Sequence, residues 1–151
     1  MLAAGRPAPV ASMYDTILVP TDGSDPANRA VEHGLELAER FGARLHALYV
    51  VDTRRYGEPA LSSAEIVLQE LEEDGNALLA DIAERADNRS VAVETRVCHG
   101  APHEEIIGYA DEVNADLIVM GYQGHSHSIE GHMGSVADRV TQRAGRPVLT
   151  A

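Results

Sequence analysis

The residues best suited to chemistry lie in one stretch, Gly121-Tyr122-Gln123-Gly124-His125-Ser126-His127-Ser128-Ile129-Glu130-Gly131-His132-Met133-Gly134-Ser135. Glycines let a backbone approach a bulky anion closely and adopt positive φ. Gly134 and Ser135 stand where a helix opens, and the free N–H groups and positive dipole end of such a turn attract phosphate. The Ser135 hydroxyl adds a donor, or serves only as a helix cap. One acid, Glu130, and no Arg or Lys occurs in the stretch. In a chain of net charge −12 that composition lowers local repulsion of a phosphate.

His125, His127 and His132 leave three readings open. They are solvated loop residues, or they donate to phosphates when protonated, since imidazole titrates near pH ~6.5. Otherwise they hold a metal, although no cysteine partner accompanies them. Gly124-His125-Ser126-His127 has the outward look of a nucleotidyl-transferase motif, but that motif belongs after a first strand and this one follows a fourth.

Composition removes several alternatives. Every one of the 12 basic residues is Arg, and the chain has no lysine. A P-loop needs its phosphate-reaching Lys and a Schiff-base enzyme its nucleophilic one. A two-component receiver domain also normally uses a Lys. Twenty-four acidic residues argue against binding a nucleic-acid backbone. Such self-repulsion is relieved in molar salt, where the Debye length shortens to about 3 Å. Acid-rich, lysine-free chains resemble those of salt-in halophilic archaea, and that origin is expected here. The single cysteine, Cys98, excludes an internal disulfide and a CxxC pair, and reads as a small core residue. No apolar run is long enough to span a bilayer. The Ala- and Pro-rich residues 1–12 are broken by Pro7 and Pro9 and read as a flexible tail rather than a secretion signal. Met13 is the expected natural start, and the cytoplasm the expected location.

The elements that must position these residues alternate. Thr16 to Val19 reads as a buried strand, and Pro20-Thr21-Asp22-Gly23-Ser24 as the turn after it. A helix capped by Ser24 or Asp25, with Pro26 at its first position, runs to Gly42. Leu45 to Val51 is a second strand ending at Asp52, and Thr53 to Leu61 a loop. Ser62 or Ser63 is expected to cap a long helix, in which Gly75 has no evident reason. Val91 to Cys98 alternates, as a strand near a sheet edge does. Ala101 to Val113 is helical, and Leu117 to Met120 is the most continuously apolar strand and therefore central. Ser135 to Ala144 is helical and Val148 to Thr150 is a last strand. Alternation of this kind predicts an α/β fold, a parallel sheet with helices on both faces. Ligands bind beyond the carboxyl ends of such strands, where strand order reverses.

The glycines are spaced G-x2-G-x9-G-S from Gly121 to Ser135. With Ile17 to Ser24, Val50-Val51-Asp52, Gly100-Ala101-Pro102, Ala115 to Gly121 and Arg146 to Leu149, this spacing resembles the universal stress protein family, in its ATP-binding branch. The resemblance spans Met13 to Ala151 as one domain. It implies a five-stranded parallel sheet in the order 3-2-1-4-5, Rossmann-type and adenine nucleotide alpha hydrolase-like, with a homodimer formed through the last strand. It places Pro20, Thr21 and Asp22 at the adenosine end, Asp22 near the ribose and phosphates, and Val50 against adenine. Met120, Gly121 and Gly124 become the ribose and phosphate cradle, and Gly134, Ser135 and Val136 the helix end that grips the phosphates. His125 stands where relatives often carry Arg or Ser. By itself, Asp22 reads equally as a turn or capping carboxylate, and Val50 as a core strand residue.

The implied function is a stress-response signalling or regulatory module that binds ATP, AMP or another adenine nucleotide, with Mg2+ or Mn2+ held mainly by the phosphates. Neither nucleic acid nor a membrane is an expected partner. The alternative is a slow ATPase or nucleotide phosphotransferase.

Overall fold

The computed structural model describes residues 13–56, 61–125 and 132–151. The expected tail 1–12, His127 and Glu130 lie outside these ranges. The elements run β1 (Thr16–Pro20), α1 (Asp25–Phe41), β2 (Arg44–Asp52), a 3-10 turn (Thr53–Tyr56), α2 (Leu61–Asn88), β3 (Val93–Gly100), α3 (Pro102–Val113), β4 (Leu117–Met120), α4 (Ser135–Arg143) and β5 (Val148–Thr150). The five strands form one parallel sheet in the order β3-β2-β1-β4-β5.

Period-two alternation along each strand splits the core into two layers. Ile17, Val19, Leu45, Ala47, Tyr49, Val51, Leu117 and Val119 face α1 and α2, meeting Val31, Leu35, Leu79 and Ile82. Leu18, Leu48, Ile118 and Met120 face α3 and α4, meeting Ile106, Tyr109, Ala137 and Val140. β4 is buried along its whole length, and β3, on the edge, is largely exposed. The apolar β4 and the alternating β3 therefore lie where their patterns predict.

Helix ends follow local chemistry, with some shifts. Ser24 caps α1, its hydroxyl accepting from the Ala27 N–H at 3.3 Å, and Asp25 precedes Pro26 in the helix. Gly42 ends α1 at φ 65°, a conformation a Cβ would strain. α2 already begins at Leu61, so Ser62 and Ser63 lie inside the helix and not at its cap. Gly134, not Ser135, is the N-cap of α4. No helix among the described residues is long and apolar enough to cross a membrane.

Order reverses between β1 and β4: β1 pairs with β2 from Thr16 and with β4 from Ile17. The turns leaving these two strands and β2 converge at one end of the sheet.

Candidate nucleotide site

A cavity of about 570 Å³ opens at that end. Pro20, Thr21, Asp22, Val50, Met120, Gly121, Gly124, His125, Gly134, Ser135 and Val136 all line it. Residues from distant parts of the chain complete it: Tyr49 and Leu48 of β2, Leu71 of α2, Pro102 and Ile106 of α3, and Met133 before α4. Apolar side chains of the strands and helices and polar groups of the turns share its lining, the usual character of a small-molecule site.

Each turn is held by its own backbone chemistry. Thr21 donates its N–H to the Leu48 carbonyl at 2.9 Å and accepts from the Gly23 N–H at 3.1 Å through its hydroxyl. Gly23 sits at φ +81°. The Asp22 carboxylate accepts from the Ser24 N–H at 2.9 Å and from the His125 N–H at 3.0 Å. It therefore acts as a turn carboxylate and also reaches across to the glycine loop. Gly121 packs backbone to backbone: a Cβ there would lie 2.8 Å from the Ala27 nitrogen. A Cβ at Gly124 would lie 2.5 Å from Asp22 Oδ2.

The far limb of the loop returns beside the near one. The Gly134 N–H donates to the Tyr122 carbonyl at 2.9 Å, and Gln123 Nε2 donates to the His132 carbonyl. α4 then starts with Gly134 as a cap that has no side chain. The N–H groups of Ser135, Val136 and Ala137 belong to a first turn, where no intrahelical acceptor exists. All three residues line the cavity, so the positive end of α4 meets the enclosed space.

The charge of the cavity differs from that of the loop. The loop is poor in acid, but the fold brings Asp22, Asp52 and Asp138 to the same walls. All three carboxylates are engaged, Asp22 by backbone amides, Asp52 by Arg54 and Asp138 by Gln142. The Arg54 Nε and Nη2 donate to the two Asp52 oxygens at 3.0 and 2.9 Å, and the hydrogen bond holds the guanidinium pKa above its usual value. Asp138 Oδ1 accepts from Gln142. Charge counted along the loop missed these residues because they approach only through the fold; the Asp52-x-Arg54 spacing at a strand end was their one local signal.

The histidines separate. His125 and His132 are exposed at the loop, and among the described residues no cluster of three or more His, Cys, Asp or Glu side chains is spaced to hold a metal. His46 is buried beneath α3, with Nδ1 3.0 Å from the Tyr109 hydroxyl. Cys98 is half-buried on β3, and desolvation, with Glu105 adding to it, pushes its thiol up to about 11. A thiol so hard to ionise is a poor nucleophile at neutral pH.

The sequence model of the Universal stress protein family matches residues 13–151. The chain belongs to the universal stress protein family. Its similarity to a universal stress protein of Methanocaldococcus jannaschii is 38% identity over 139 residues, covering 91% of this chain and 82% of that one. Its structure resembles that of the universal stress protein UspA from Lactobacillus plantarum with TM-score 0.84 and 30% identity, covering 91% and 97% of the two chains. It also resembles a universal stress protein solved in complex with cAMP, with TM-score 0.72, 31% identity and coverage of 93% and 98%. The sheet order and the flanking helices are thus those of solved universal stress proteins.

Proposed function

We propose that this universal stress protein is a regulatory module that binds an adenine nucleotide, ATP or a smaller relative, in the cavity above β1, β2 and β4. The observation that carries the reading is the first turn of α4, which no side chain caps and which lines the same cavity as the apolar residues of β2, Met120 and Ile106. A base fits the apolar end and a phosphate the helix end. The relative solved with cAMP supports an adenine ligand.

In this reading Val50 meets the base, and Pro20 and Thr21 border the adenosine. Met120, Gly121 and Gly124 form the cradle, and Gly134, Ser135 and Val136 hold the phosphates. With no lysine in the chain, backbone N–H groups and the Ser135 hydroxyl do most of the gripping, and His125 adds a donor. A Mg2+ or Mn2+ ion arrives with the phosphates and is held mainly by them, because Asp22 and Asp52 are already engaged. The unit is residues 13–151, acting in the cytoplasm as a homodimer paired through β5, with ligand occupancy as its signal and at most slow hydrolysis.

Mass spectrometry of ligand released from freshly purified protein, followed by calorimetric titration with ATP, AMP and cAMP, tests the reading. An adenine nucleotide in the released fraction, and binding lost in Gly124→Val, are expected. A protein that releases none and binds none of the three overturns it.

A further inference from the structure

Asp22 is the point at which two separate turns are tied together. Its Oδ1 accepts the Ser24 N–H at 2.9 Å, closing the turn after β1. Its Oδ2 accepts the His125 N–H at 3.0 Å, across 103 residues of sequence. The fit leaves no room on the loop side, since a Cβ on Gly124 would fall 2.5 Å from Oδ2. The rest of the loop stem is fastened elsewhere, at Gly121 against the start of α1 and at Gly134 against the Tyr122 carbonyl. Between these anchors, the Asp22 carboxylate cross-links the two turns and sets the Gly124–His125 peptide.

A carboxylate at the rim of a phosphate cavity is a liability if its charge points at the ligand. Here each oxygen takes a backbone N–H, a charge-assisted arrangement that spends the charge within the protein. Gly124 lines the cavity and carries no side chain of its own.

We propose that Asp22 is a positioning residue, whose carboxylate clamps the Gly124–His125 peptide to the turn after β1 and so preforms the Gly121-to-His125 limb of the phosphate cradle before the ligand arrives. The proposal rests on the nucleotide-binding reading of the cavity. It differs from a direct-ligand role for Asp22 in one respect: its effect exists in the ligand-free protein and travels through the His125 amide.

Two variants test it. Asp22→Ala removes both acceptor oxygens, so the His125 N–H loses its partner, whereas an asparagine could turn its one remaining oxygen toward His125. In the ligand-free protein, hydrogen exchange at the His125 amide, followed by NMR, is expected to speed up by about tenfold or more, while far-UV circular dichroism stays unchanged. Affinity for AMP and for Mg-ATP falls about tenfold, the size of one lost charge-assisted bond. Gly124→Ala breaks the clamp from the other side, and serves where Asp22→Ala does not fold. It weakens binding in the native background, and much less in an Asp22→Ala background, where the carboxylate it would strike is gone.

Unchanged His125 exchange in Asp22→Ala overturns the clamp. Lost affinity with unchanged exchange makes Asp22 a direct ligand contact, and faster exchange with full affinity removes its positioning role. If the native protein binds neither probe, the nucleotide reading fails, while the exchange rate still decides whether the clamp exists.

Discussion

Tyr49 of β2 fills the space that a side chain at Gly75 of α2 would need: a Cβ built on Gly75 lies 2.4 Å from Tyr49 Cδ1. A glycine in the middle of a helix costs about 1 kcal/mol against alanine, and the cost is accepted here for the close approach of a ring that also lines the cavity. Gly75→Ala should therefore destabilise the protein, because overpacking at about 1–3 kcal/mol outweighs the propensity gain. In a Tyr49→Ala background the same change should become stabilising, by about 0.5–1 kcal/mol. Urea unfolding of the four proteins in the cycle measures both signs.

Two other glycines give opposite expectations. A Cβ at Gly121 would press on the Ala27 nitrogen and the Pro26 carbonyl carbon at 2.8 and 2.9 Å, atoms of the backbone that cannot rotate aside. A Cβ at Gly108, exposed on α3, would meet nothing within 4 Å. Gly121→Ala should lower the melting temperature by several degrees, since ~1 kcal/mol corresponds to about 2–8 °C in domains of this size class. Gly108→Ala should raise stability by up to about 1 kcal/mol. A melting curve for Gly121→Ala that matches the native protein would contradict the packing described at the base of the loop.

His46 makes stability depend on pH. Burial is the main cause that lowers its pKa in the folded state, assisted by Arg44 and Arg96 and opposed by Glu94, while its Nδ1 meets the Tyr109 hydroxyl. The unfolded chain then binds a proton more readily than the folded one, so stability is full above the ordinary imidazole range and falls as pH drops through it. His103 is also buried and shifted downward, chiefly by desolvation, and adds to the slope. Chemical unfolding between pH 8 and 5 should show the decline, with a shallower slope in His46→Gln. An identical slope in that variant would assign the effect to His103.

Salt acts against a net charge of −12. The ion pairs on the surface are mostly exposed, as in Arg40–Glu36 and Arg44–Glu94, and such pairs are worth about 0–1 kcal/mol each. Screening them costs less than relieving the repulsion among the excess carboxylates, because molar salt shortens the Debye length to about 3 Å. The melting temperature should rise from low salt to molar KCl. A flat response would mean that the ion pairs, such as those joining Arg85 and Arg89 to Glu32, offset the repulsion.

Much of this architecture was legible along the chain. Strand and helix periods, the central place of the apolar β4, the edge character of β3 and the spacing of the loop glycines are local patterns, and local patterns survive folding because each follows from one element meeting one face of the sheet. Gly134 and Ser135 were both expected to open α4, and only the backbone angles make Gly134 the cap and Ser135 the first helical residue.

The sequence by itself determined the kind of protein this is: the order of its elements, the glycine loop after the fourth strand and a charge balance without lysine. Tertiary structure alone decided what those residues touch. It turned Gly75 from an unexplained helix defect into a seat for Tyr49, and placed Asp52, Asp138 and Leu71 around one cavity. It also set Asp22 on the His125 amide. The physical reason is distance along the chain: these partners are separated by long stretches of sequence, so no local period records them, and only the packing of strands and helices brings their atoms within bonding range.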